Sequence, residues 1–216
     1  SKAAFWEWGL EVAPESDTVL TNLSRLHSEE GNFEDALEAA RNATEINPES
    51  HNAWNNVGMA QMGIGNHTEA LDAFRKAVHR NASVVIYWSN LAMAHSASDQ
   101  NQEALRILTD EALPRDRHHP LANLNASAAY LNTGRPDLAG NFLQKAGRYL
   151  GSPNVTYTAI ATEIENPVRW QQLGAALVES GDWSAARSAV NRAANLGASE
   201  VDIAKLRDAI SAGSEE

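Results

Sequence analysis

The chain has no cysteine, which excludes disulfides, thiolate-bound zinc and a cysteine nucleophile. Lysine is scarce as well, with four copies, and Lys and Arg together number 17 against 28 Asp and Glu, a formal net charge of −11. Nucleic-acid binding needs clustered cations that displace counterions from phosphates, so no nucleic-acid partner is expected. No apolar run approaches the roughly 20 residues that span a bilayer, and the opening SKAAFWEWGLEVAPES lacks the apolar stretch of a signal peptide. The absence of cysteine does not identify the compartment; the expectation is a soluble domain, cytoplasmic or periplasmic in type, of a longer protein. Strand-like alternation is nearly missing outside residues 154–162. What is present is 43% hydrophobic residues over 216 positions, enough for a sizeable core and too much for a disordered chain.

Sliding the sequence against itself tests for fixed-period self-similarity. Asn22, Asn56, Asn90 and Asn125 stand 34, 34 and 35 residues apart. With each asparagine as position 6 of a unit, position 8 holds Ser24, Gly58, Ala92 and Ser127, and position 20 holds Ala36, Ala70, Ala104 and Ala139. A fifth unit fits the frame with Trp170 at position 4, Leu173 at 7, Gly174 at 8, Ala186 at 20 and Ala193 at 27, while Gln172 replaces the asparagine. Positions 4, 7, 8 and 11 share one arc of a helix at about 3.6 residues per turn and predict a buried stripe. Small residues at 8 and 20 let the two helices of a unit approach closely. Gly31, Gly65, Gly134 and Gly181 fall between the two periodic segments, where a helix ends on a left-handed residue, and Asp99 stands there in the third unit.

Trp54, Val57, Gly58, Ala70, Phe74 and Ala77, with the matching residues of the other units, resemble the tetratricopeptide repeat, W-x2-L-G-x2-Y followed by Ala, Phe, Ala and often Pro. The resemblance covers residues 17–153 and 167–198. It implies an all-α fold, an α-solenoid of stacked helix-turn-helix units in a right-handed superhelix. In this frame residues 1–16 read as the second helix of a preceding repeat cut short, 17–153 as four repeats, 154–166 as a linker or irregular insert, 167–198 as the fifth repeat and 199–216 as a capping helix and tail. The cap is expected to bury Val201, Leu206 and Ile210.

Positions 2, 5, 6, 9, 12 and 13 lie opposite the buried stripe, and in tetratricopeptide arrays that side lines a concave groove. An Asn amide offers both an acceptor and a donor, the pair a peptide unit needs. Asn22, Asn56, Asn90 and Asn125 thus resemble the asparagine ladder of O-linked GlcNAc transferase and of importin-type solenoids. The competing reading is that these amides bond only within or between neighbouring helices. Around them Met59, Met62, Ile86, Met93, Leu121, Leu124, Leu131, Val168 and Val178 form an apolar strip; methionine adapts to varied partners. A tail, the insert or a second protomer is the alternative cover for that strip. Arg25 is the only cation at the groove positions, which argues against a clamp for a terminal carboxylate, and Gln172 completes the candidate groove set.

Catalytic and metal-binding patterns are missing. His118 and His119 sit in the loop-like PRDRHHP, where adjacent residues of a regular helix could not share an ion. His27 and His95 both hold position 11 of the buried stripe and read as core residues. GMAQMGIG lacks the Lys-Ser/Thr of a phosphate loop. Six Asn-x-Ser/Thr sequons occur, two of them at position 6, and bear on a secreted eukaryotic chain alone. The expected function is a non-catalytic scaffold without cofactor that binds an extended, largely uncharged peptide segment of a protein partner, self-association being a further possibility. The alternative is the recruiting arm of a larger enzyme or membrane-anchored protein.

Overall fold

The computed structural model describes residues 15–150 and 167–214 together with 9, 12 and 13, apart from the side chains of 147–150 and 169. Most of the segment 1–16 and the whole of 154–166, read above as a truncated helix and an insert, lie outside these residues. Among the described residues the secondary structure is helical, with no strand. The chain divides into two compact units, residues 1–107 and 108–216.

The first unit contains α1 (Asp17–Glu29), α2 (Phe33–Ile46), α3 (His51–Ile64), α4 (His67–Arg80), α5 (Val85–Ala97) and α6 (Asn101–Ile107). They form three antiparallel hairpins, α1/α2, α3/α4 and α5/α6, each packed on the next. Ser16 and Ser50 cap α1 and α3 by accepting the backbone N–H of Val19 and Ala53 at 3.3 Å. At the turn inside each hairpin a backbone N–H reaches five residues back, Asn32 to His27, Asn66 to Gln61 and Gln100 to His95, at 2.8–2.9 Å. That closure needs a left-handed residue. Gly31 and Gly65 supply it, and Asp99 takes φ 59° in their place, as the repeat frame requires.

Alanine dominates the interior here. Ala36, Ala40, Ala43, Ala53, Ala60, Ala70 and Ala77 are fully buried, so backbones touch with little side-chain volume between them. Phe74 is the largest fully buried side chain described in this unit. A Cβ built on Gly58 would stand 2.5 Å from its ring, which explains the small residue at position 8. A second close approach was not anticipated from sequence: a Cβ on Gly63 would meet the Phe33 ring at 2.2 Å.

The second unit opens with a π-helical turn, Leu108–Ala112, and one α-helical turn, α7 (Leu113–Arg115). Pro114 offers no N–H to the Asp110 carbonyl and crowds it, so the helix widens just before the proline. Then follow α8 (Pro120–Asn132), α9 (Pro136–Leu150), α10 (Pro167–Glu179), α11 (Trp183–Asn195) and α12 (Glu200–Gly213). The hairpins α8/α9 and α10/α11 repeat the same turn, Arg135 to Tyr130 and Asp182 to Leu177, on Gly134 and Gly181. Their core is built on Leu131, Leu143, Trp170, Leu173, Leu177 and Val190, with Ala139, Ala186 and Ala193 among them. Helix α12 packs on it through Ile203 and Ile210, with Leu206 partly buried. Val201, expected in this contact, is exposed at 65%; residues 203 and 210 are two turns apart on one face, and 201 points away from it. Gly213 lies under the Trp183 ring, its virtual Cβ 2.3 Å away. Gly213 and Gly63 both hold position 13 of the unit after the aromatic, so the first and last junctions are closed alike.

Candidate interaction groove

The first helices of the hairpins in the first unit present a shared side. Between α1 and α3 lies a cleft of about 370 Å³ lined by Asp17, Thr18, Thr21, Asn22, Arg25, Ser50, Asn52 and Asn56. Three of the predicted groove residues, Asn22, Arg25 and Asn56, meet here. Thr18, Thr21 and Asn52 were not singled out from sequence, although positions 2 and 5 of the same frame contain them. Beyond the cleft Met59 on α3 and Ile86 on α5 are exposed, 36% and 40%, while Met62 and Met93 are half-buried.

The asparagines have partners within the protein. Asn22 Nδ2 donates to Thr18 O in its own helix at 2.8 Å. Asn56 Nδ2 donates to Thr21 O at 2.8 Å, and Asn90 Nδ2 donates to Asn55 Oδ1 at 2.9 Å. The last two bonds run from position 6 of one repeat to position 5 of the repeat before it. They are ties between successive first helices. Asn90 is consequently 3% exposed, and Asn125 on α8 is 7% exposed, so these two do not stand at an open surface as the ladder reading had them. Asn22 and Asn56 remain half-exposed.

The second unit carries the remaining candidates. Leu121 is half-buried, and Leu124 and Val178 pack against the aliphatic core. Leu131 is fully buried in that core and leaves the apolar strip, because α8 is apolar nearly all round and is covered on more than one side. Gln172 and Val168 are exposed on α10.

Arg25 is exposed and pairs with Glu29 one turn on, an arrangement worth little in water. His119 sits at the N-terminus of α8, where its Nδ1 accepts the Ala122 N–H at 3.4 Å. Burial holds its pKa below the usual histidine range, with Asp116 opposing. His95 is buried, its Nδ1 2.6 Å from Gln100 Oε1, and His27 is half-buried with no partner for Nδ1. Both are within the packed helices, as position 11 predicted. No group of three His, Cys, Asp or Glu side chains suited to a metal occurs among the described residues, and no described helix is long and apolar enough to cross a membrane.

Residues 21–84 match the family model described as tetratricopeptide repeat. Among solved structures, YrrB, titled "a TPR protein with an unusual peptide-binding site", aligns over 94% of this chain and 97% of its own, with TM-score 0.58 and 16% identity. TTC0263 from Thermus thermophilus, a thermophilic TPR protein, aligns over 93% and 100%, with TM-score 0.60 and 17% identity. The fold is the tetratricopeptide-repeat fold. Cut9–Hcn1, a hetero-tetramer of the APC/C, shares it over 94% of this chain and 38% of that one, with TM-score 0.68 and 16% identity. No curated protein matches the sequence. In the terms of this fold, the cleft between α1 and α3 is on the side formed by the first helices of adjacent repeats, and the amide bonds of Asn56 and Asn90 join those helices.

Proposed function

We propose that the chain is a non-catalytic interaction scaffold whose first unit holds an extended, largely uncharged segment of a partner protein against α1, α3 and α5. The observation that carries this reading is the α1/α3 cleft, in which Thr18, Thr21, Asn22, Ser50, Asn52 and Asn56 supply neutral hydrogen-bonding groups beside the exposed apolar Met59 and Ile86. A chain segment with its backbone unpaired needs such neutral donors and acceptors. Each hydrogen bond contributes a net of about 0.5–1.5 kcal/mol, while ordering each bound residue costs about 1–2 kcal/mol. The apolar contacts must therefore supply the surplus, and binding in the micromolar range, about −8 kcal/mol, is the expected outcome. With one cation that is already ion-paired, salt dependence is weak.

A peptide-display selection on the folded chain, followed by titration calorimetry, tests the reading. Peptides enriched should be extended and mostly uncharged, and Asn22→Ala combined with Met59→Ser should weaken them at least tenfold with an unchanged melting temperature. Binders indifferent to that pair, or lost in moderate salt, would remove the groove from consideration.

A further inference from the structure

Four of the helical arginines, Arg25, Arg75, Arg106 and Arg115, each pair with a carboxylate three or four residues away. Arg187 on α11 and Arg207 on α12 have no acidic residue at either spacing, and neither has a carboxylate partner among the described residues. Instead they line a cleft of about 230 Å³ between these two helices, one on each wall, together with Val190, Asn191, Ile210 and Ser211.

The polar groups of this cleft are mostly donors. Arg207 Nη2 donates to Asn191 Oδ1 at 3.4 Å; a guanidinium can only donate, so the Asn191 amide keeps its oxygen toward Arg207 and its NH2 available to another acceptor. The Ser211 hydroxyl gives its hydrogen to the Arg207 carbonyl at 2.9 Å. Two guanidiniums and one amide NH2 are thus left with hydrogens to offer. The floor is apolar, since Val190 and Ile210 are buried, whereas Arg187, Asn191, Arg207 and Ser211 are exposed. Of the acids on α12, Asp202 pairs with Lys205 at 3.8 Å, and Glu200 lines an adjoining cleft that Arg207 also borders without pairing with it.

We propose that the α11/α12 cleft is a second binding site, which holds an acidic side chain of a partner-protein segment together with an apolar residue beside it. A carboxylate has acceptors only and answers a site made of donors; the planar fork of arginine takes its two oxygens at once. The neighbouring apolar side chain covers Val190 and Ile210, which adds burial to the ion pairs. Charge complementarity decides the occupant: in a chain of net charge −11, whose general field repels acidic segments, two arginines without carboxylates form a local exception. The exposed walls leave the site open to a segment of another chain. This cleft is in the second unit and takes a charged ligand, so it does not depend on what the α1/α3 cleft binds.

Titration of the ¹⁵N-labelled full chain with the end-blocked peptide Ala-Leu-Glu-Leu-Ala, read by NMR, tests the site. The Arg187 and Arg207 Nε–H signals and the Asn191 NH2 signals should shift. Binding should weaken about fivefold or more when Gln replaces the Glu of the peptide, and again when sodium chloride is raised to about 0.5 M. Arg187→Gln and Arg207→Gln change exposed side chains, so each should weaken binding about fivefold at an unchanged melting temperature; Arg207→Lys, which keeps the charge without the fork, should lose less. Asn22→Ala combined with Met59→Ser should leave this binding as it is, which separates the site from the first unit's groove. No shift at millimolar peptide, equal binding of the Gln peptide, indifference to both Gln variants, or the same shifts from free glutamate or inorganic phosphate at equal concentration overturns the proposal.

Discussion

Trp54 and Trp170 occupy position 4 of their repeats and are used in opposite ways. Trp54 in the first unit is half-exposed: its Nε1–H donates to the Pro48 carbonyl at 2.8 Å, and the Lys76 ammonium lies 4.0 Å from its ring centre. Trp88 repeats the bond with Ala82 O. In the second unit Trp170 is 0% exposed, within a cluster of Leu173, Leu177, Val190 and Ile203. Alanine makes up about half of the buried apolar residues described in each unit, so the difference is in where the large side chain of position 4 goes. In the first unit it braces the turn before its own helix, and side-chain hydrogen bonds from Asn56, Asn90 and Tyr87 join successive repeats. In the second unit it fills the space between helices. One repeat pattern thus admits two uses of the same tryptophan.

The sharpest break of that contrast is Trp170→Ala, expected to cost about 3–5 kcal/mol as a cavity in a packed core, against about 1–2 kcal/mol for Trp54→Ala, which loses a hydrogen bond and a cation contact. Chemical denaturation of the two variants measures the difference; equal losses would show that the units are not built differently. Next, Gly58→Leu should destabilise the first unit by about 1–3 kcal/mol through overpacking, and the added Phe74→Ala should restore part of it in thermal melts, since the clash is with that ring. Asn90→Ala and Asn56→Ala should each cost about 0.5–1.5 kcal/mol as lost ties between repeats, whereas Asn22→Ala, whose bond stays in its own exposed turn, should leave the midpoint unchanged.

A small, pH-dependent effect belongs to His119. Its folded-state pKa is depressed by burial, so its contribution is present above the unfolded value of about 6.5 and is lost as pH falls through the lower folded value. A charged ring there also faces the N-terminus of α8 and no longer accepts the Ala122 N–H. His119→Asn keeps a capping acceptor that does not titrate, so it should reduce the acid dependence of the midpoint by no more than about 1 kcal/mol.

Much of the fold was legible in the residues. The turn glycines and Asp99, the small residues at position 8 and the core place of His95 all stand where the 34-residue frame put them. The groove was less so. The frame assigned Asn56 and Asn90 to the side of their helices opposite the buried stripe, but the partners of their amides are 35 residues away and depend on how far one helix is offset along the next. Leu131 and Val201 failed for a related reason, since a helix covered on two sides, or one that meets its neighbour on a single face, buries positions that the repeat average does not specify.

The sequence alone determined the period, the turns and the small contact positions, because these are local steric requirements: a left-handed residue to end a helix, and no Cβ where the Phe74 ring must lie. The tertiary structure decided whether an asparagine ties two repeats or faces solvent, and whether a tryptophan braces a turn or fills a core. Those outcomes depend on side chains a full repeat apart, and only the stacked hairpins bring them within hydrogen-bonding distance.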